Sequence, residues 1–217
     1  MNEESRGIQI TKQGNACFSI TVGGETVSTQ GKPVDIHLEA QQAYVYLIMD
    51  CSGSMSGNKL EQAKQGIAEF AADALKSEYR VGLIGFDTTA RHLCEPVRDI
   101  QMLMPGVRAL QAGGSTNMVD AIRLAHDKLR KLEGTRVIVI ATDGMPDDAL
   151  AALKAAQQAK NDKIDFIAIG TDDANQRFLQ KLATRKELGA KVAKEVFGKA
   201  IASASNLLPP PRGIVKR

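Results

Sequence analysis

The sequence predicts an α/β protein: a doubly wound, mostly parallel central sheet with one antiparallel edge strand, helices on both faces and a β-hairpin extension at the N-terminus. Three observations predict it. Apolar runs at residues 44–49, 81–86, 137–141 and 164–169 lack the polar alternation of half-exposed strands, as strands covered on both faces do. Longer stretches with helical spacing separate them, the alternation that builds parallel sheets. The loops that follow the first and third of these runs are rich in side-chain oxygens, at the strand ends where open α/β sheets bind ligands.

The elements follow in order. Residues 8–11, 16–22 and 26–27 alternate as strands do, and Gly14-Asn15 and Gly23-Gly24 mark turns between them, so small antiparallel hairpins are expected. After the first buried run, Leu60, Ala63, Ile67, Phe70 and Ala74 form one apolar stripe of a helix. Asn58 followed by Glu61 has the pattern of an N-cap with an acidic N3 residue, placing the helix start near Lys59. Residues 90–97 follow the Asp87-Thr88-Thr89 turn too closely for a crossover helix, so this strand should run antiparallel at a sheet edge. Met118, Ala121, Ile122, Ala125, Leu129 and Leu132 mark a second helix. Asp147 and Asp148 can start an Ala-rich third. A last amphipathic helix, with Phe197, Ile201, Ala204 and Leu208, is stopped by Pro209-Pro210-Pro211. The divisions are an N-terminal β extension over 1–43, the α/β domain over 44–208 and a Pro-rich basic tail over 209–217.

Composition narrows the function classes. With 217 residues, 43% of them hydrophobic, the chain has material for one substantial core without disulfides. Its 28 basic and 25 acidic residues leave a formal charge of +3, too small to predict nucleic acid or a membrane as partner. Aromatic residues are only 4%, poor material for base stacking. Cys17, Cys51 and Cys94 have neither disulfide-scaffold nor C-x-x-C spacing, and the polar, acidic start does not read as a signal peptide; both suggest a cytoplasmic setting. No run approaches the roughly 20 apolar residues of a membrane span.

The oxygen-bearing loops carry the chemistry. In an extended chain Asp50, Ser52 and Ser54 share one face while Cys51 and Gly53 take the other. A second cluster, Gly113-Gly114-Ser115-Thr116-Asn117, opens the Met118 helix, and Thr142-Asp143-Gly144 ends the strand of residues 137–141. Each has a plainer use: a polar turn, a helix cap by Thr116 or Asn117, an Asp-Gly turn. The Asp87-Thr88-Thr89 turn could border the same crevice. Cys51 reads as a small packing residue. His37, His92 and His126 share no ligand spacing.

Together these residues resemble the metal-ion-dependent adhesion site of von Willebrand factor A domains, also called integrin I-like domains: Asp50-x-Ser52-x-Ser54, then Thr116, then Asp143, in the family's order. The resemblance covers roughly residues 44–208 and implies the Rossmann-like fold of that family with Mg²⁺ at the top of the sheet, Mn²⁺ or Ca²⁺ being possible substitutes. It implies that Ser52, Ser54 and Thr116 bind the ion directly while Asp50 and Asp143 act partly through water. Two carboxylates and three hydroxyls suit a hard cation that takes about six oxygen ligands. The expected function is a non-catalytic, Mg²⁺-dependent protein-binding or scaffold domain that docks a partner's Asp or Glu onto the ion. The setting implied is an intracellular assembly, of the kind that includes AAA-type ATPases. A Mg²⁺-dependent phosphatase of the haloacid dehalogenase type is the alternative, but it needs an Asp where Ser52 stands. An RNA-associated module of the same family has only the basic tail, Arg212, Lys216 and Arg217, in its favour.

Overall fold

The structure, a computed structural model, describes residues 42–211 in full and, outside them, the backbone of five strands. Three of these, β1 (Ile8–Gln13), β2 (Cys17–Val22) and β3 (Glu25–Gln30), form an antiparallel meander in the order β1-β2-β3, as the alternating sequence predicts. The turn residues Gly14-Asn15 and Gly23-Gly24 lie outside the described residues, as does His37. A short strand β4 (Leu38–Glu39) pairs antiparallel with β11 (Ile214–Val215), so part of the expected basic tail is joined by backbone to the N-terminal extension.

The central sheet has six strands: β5 (Ala43–Asp50), β6 (Tyr79–Phe86), β7 (Ala90–Val97), β8 (Thr135–Thr142), β9 (Asp165–Gly170) and β10 (Gly189–Lys191). Their order is β10-β9-β8-β5-β6-β7, all parallel except β7, which pairs antiparallel with β6 at the edge. β5 is buried along its whole length, which explains its unbroken apolar run.

Between the strands lie α1 (Asn58–Lys76), α2 (Ile100–Arg108), α3 (Met118–Leu129), α4 (Ala149–Asn161), α5 (Gln176–Leu182) and α6 (Phe197–Ser203). From β5 the chain steps through α1 to β6 on one side; from β8 it steps through α4 to β9 on the other. Right-handed crossovers in opposite directions place α1 and α4 on opposite faces. Helix α1 packs on α2 and α6; α4 packs on α3 and α5. The α1/α6 crossing depends on two glycines: a Cβ on Gly66 would stand 2.2 Å from the Gly198 carbonyl oxygen, and one on Gly198 would stand 2.4 Å from that of Gln62.

Strand order reverses between β5 and β8, so the helices leaving their carboxyl ends diverge and open a crevice there. Asp50 is the last residue of β5, and Asp143 follows the last residue of β8.

Two expectations need correction or supplement. Asn58 is not the cap of α1; the cap position is Gly57 at φ 77°, without a side-chain hydrogen bond, and Glu61 pairs with Lys64 instead. The left-handed turn at Gly57 redirects the chain from the Ser52–Ser54 loop into the helix, and glycine adopts it without strain. Helix α2 went unread because Pro105 lies inside it, a residue that normally ends a helical pattern.

Candidate functional site

Three loops meet at the carboxyl ends of β5 and β8. After Asp50 the chain leaves β5 and makes one 3₁₀ turn, Gly53–Met55, before α1. Gly53 N–H donates to the Gly114 carbonyl at 3.1 Å and Gly113 N–H to the Cys51 carbonyl at 2.8 Å, so the loop opening α3 is stitched backbone to backbone onto the Asp50–Ser54 segment. The β8 loop joins through Asp147, whose carboxylate accepts the Thr116 N–H at 3.1 and 3.2 Å and whose own N–H donates to the Thr116 carbonyl.

Asp50 is fully buried. One carboxylate oxygen accepts the Ser52 N–H at 2.8 Å and the other the Thr142 hydroxyl at 2.5 Å. Burial pushes the Asp50 carboxyl above the usual carboxylate range; the hydrogen bonds from Thr142 and Ser52 pull against it, and the charge of Asp143 adds to it. Next comes a chain of oxygens: Ser52 Oγ lies 3.1 Å from Ser54 Oγ, which donates to Asp143 Oδ1 at 2.7 Å. Asp143 is buried, and its Oδ2 accepts from Lys59 Nζ at 2.7 Å; the same ammonium reaches Asp173 Oδ2 at 3.2 Å. Burial alone would lower the Lys59 pKa, but the hydrogen bonds and charges of Asp143 and Asp173 outweigh it and hold the amine above its ordinary value.

Of the five residues singled out in the sequence, Asp50, Ser52, Ser54 and Asp143 thus form one buried-to-exposed cluster. Thr116 is brought to the same crevice by its loop, half-buried, but the hydrogen-bonded chain joining Ser52, Ser54 and Asp143 does not pass through it. The capping question resolves in favour of Asn117, whose side chain accepts the Asp120 N–H at 3.3 Å, so Thr116 is not spent as the cap of α3. Asp148 caps α4, accepting the Ala151 N–H at 2.8 Å. The Asp87-Thr88-Thr89 turn does border the crevice: the Ser115 N–H donates to Thr88 Oγ1 at 3.2 Å and the Asn117 N–H to the Asp87 carbonyl at 2.8 Å.

Sequence reasoning gave no part in the site to Lys59, Asp147 or Asp173, and it named Thr142 only as a member of the third oxygen cluster. Lys59 had a signal: a cation in the first turn of a helix opposes the macrodipole, so its place there asks for a compensating anion. The cysteine beneath the site is a packing residue: Cys51 is fully buried, and burial, with the charge of Asp50, pushes its thiol up to about 12. Two histidines lie away from the cluster. His92 Nε2 is 2.9 Å from the hydroxyl of the buried Tyr46, in a group with Glu95 and Lys128, and His126 Nε2 is 2.6 Å from Asp162 Oδ2. Among the described residues no three His, Cys, Asp or Glu side chains cluster in a way that could hold a metal, so any ion at the crevice would depend on hydroxyl ligands.

This architecture, a six-stranded α/β sheet with side-chain oxygens gathered at the strand-order reversal, defines the class. Residues 45–201 match the von Willebrand factor type A domain, and the chain belongs to that family. It is 28% identical over 148 residues to human (Homo sapiens) calcium-activated chloride channel regulator 4, covering 64% of this chain and 16% of that protein. It is 27% identical over 149 residues to the magnesium-chelatase 67 kDa subunit of Chlorobaculum parvum, covering 66% of this chain and 24% of the subunit. The chain thus spans less than a quarter of the length of either relative. The crystal structure of the vWF domain of the type V pili tip protein Mfa5 from Porphyromonas gingivalis superposes with a TM-score of 0.71 over 85% of this chain and 99% of that one, at 14% identity, a likeness of fold. Among the described residues no helix is long and apolar enough to cross a membrane.

Proposed function

We propose that the chain is a protein-binding domain whose crevice holds a divalent cation, Mg²⁺ by preference, and that an acidic side chain of a partner docks there. The observation that carries this reading is the convergence of side-chain oxygens from the ends of β5 and β8, Ser52, Ser54 and Asp143 standing within hydrogen-bond reach of one another. Neighbouring ligands of an octahedral ion at about 2.0–2.1 Å lie roughly 2.9 Å apart. The Ser52–Ser54 and Ser54–Asp143 oxygen pairs stand at 3.1 and 2.7 Å, on either side of that value. The donor set fits a hard cation: Ser52, Ser54, Thr116 and Asp143 would hold it, with Asp50 behind them. The ion would supply an electrophilic position that a carboxylate from outside can complete.

The chain's own residues do the rest. Thr142 and the Ser52 N–H fix both oxygens of Asp50, so the floor of the site is rigid before any ligand arrives. Asp147 and the Gly113–Gly114 backbone hold the Thr116 loop against it. Among the described residues no proton-transfer pair lies at the crevice: Ser52 stands where a phosphatase would use its second Asp, burial holds the Cys51 thiol protonated, and Lys59 is ion-paired. We therefore read the site as binding rather than catalysing. The similarity to a magnesium-chelatase subunit supports a place in a multi-subunit assembly, and we propose an AAA-type ATPase as a component of it.

The test is retention of partners on the immobilised full chain with Mg²⁺ and with EDTA, using wild type and Ser54→Ala. Partners lost both on chelation and in the variant are expected. Equal retention in all four conditions would move binding to another surface.

A further inference from the structure

We propose that Lys59 is a tethered counter-cation that competes with the divalent ion for Asp143 and that Asp173 receives it when it is displaced. The inference rests on the metal-binding reading above and adds a residue that regulates that site.

The crevice holds two buried carboxylates, Asp50 and Asp143, and the cation paired with them is Lys59, through Asp143. Its position follows from local structure: the turn at Gly57 starts α1 directly after the Ser52–Ser54 loop, and Lys59 is the second residue of that helix, so its side chain lies over the site. The two anchors differ in kind. The Asp143 side chain has no exposure and shares its other oxygen with Ser54, whereas the Asp173 side chain is 67% exposed and joins none of the hydrogen bonds among the candidate ligands. Lys59, itself 22% exposed, touches both at once, at 2.7 and 3.2 Å.

A lysine has a flexible four-carbon stem and a point-like charge that needs no fixed geometry. Leaving Asp143 therefore does not leave Lys59 unpaired; a short swing keeps it on Asp173. A divalent ion on Oδ1 of Asp143 would put two cations on the two oxygens of one carboxylate, so the ion and the Lys59–Asp143 contact oppose each other. In the absence of the ion the same contact neutralises a buried carboxylate that would otherwise be unpaired. Lys59 thus stabilises the metal-free site and sets a threshold concentration for loading it.

Isothermal titration of MgCl₂ into the full chain tests this with wild type, Lys59→Met, Asp173→Asn and the double variant. Methionine keeps the stem and removes the charge. Lys59→Met should bind Mg²⁺ roughly tenfold more tightly than wild type. Asp173→Asn should weaken binding in the wild-type background, because displacement loses its receiving site, and should change it much less when Lys59 is already Met. Lys59→Gln, which also removes the charge, should tighten binding in the same way should Met prove unstable. Binding by Lys59→Met that equals or falls below wild type overturns the proposal and leaves the metal site standing, Lys59 then being a residue that only orients Asp143. Binding by Lys59→Met alone supports competition in its strongest form. No binding by any variant overturns both readings.

Discussion

Asp50 shows what burying one carboxylate costs the fold. With no exposed surface and its carboxyl pushed up by burial, it favours the protonated form in the folded state more than in the unfolded chain. A raised folded-state value means that the metal-free fold is favoured at low pH and loses stability as pH rises from the ordinary 3.8 through the folded-state value. At neutral pH in EDTA, Asp50→Asn should therefore raise the Tm, because the amide carries no charge to bury. A differential-scanning melt in chelator checks it, and a fall in Tm would mean that the hydrogen bonds from Ser52 and Thr142 outweigh the burial of charge. At this scale the residue types were legible, because Asp, Ser and Thr at strand ends have few structural reasons to recur in one order. Their contacts were not. Which of Thr116 and Asn117 caps α3, and that Lys59 reaches Asp143 from 84 residues away, depend on loop conformations that side-chain periodicity does not encode.

Elements were read wherever burial imposes a period. The four buried strands and the stripes of α1 and α3 stand where the apolar spacing puts them, because each faces a sheet. The misses have local causes. Pro105 interrupts the pattern of α2, and α5 and β10 are seven and three residues long, too short to show a period. The contact that locks two elements was equally hidden: a glycine's close approach to a backbone appears in sequence only as a glycine. Gly198→Ala would push a methyl into the Gln62 carbonyl of α1, a contact between two backbones that no rotamer change relieves. It should destabilise the fold by about 1–3 kcal/mol as overpacking does, and Gly66→Ala should do the same from the facing helix. Urea denaturation reads the loss. A midpoint unchanged in both variants would show that α1 and α6 can slide apart freely.

For the whole molecule, the proposed reading has the consequence that ligand binding and folding should be separable. The sequence announced a parallel sheet but not the order β10-β9-β8-β5-β6-β7, and it is that order which sets the ends of β5 and β8 beside each other and opens the crevice. Apart from Asp50, the last residue of β5, the candidate ligands lie on loops beyond these ends, while the core is made by strands and helices that none of them interrupts. A ligand that binds only the folded chain then adds stability by mass action, about 2.7 kcal/mol at a hundred times its Kd. For a chain of this length that is a rise of about 5–10 °C in Tm. Wild type should show such a rise in excess Mg²⁺, while Thr116→Ala should lose most of it and melt like wild type in EDTA. The two halves of that expectation separate fold from site: a lower Tm in EDTA would make Thr116 a structural residue, whereas a full Mg²⁺ response would remove it from the ligand set and leave Ser52, Ser54 and Asp143, the oxygens already at ligand spacing, to hold the ion without it.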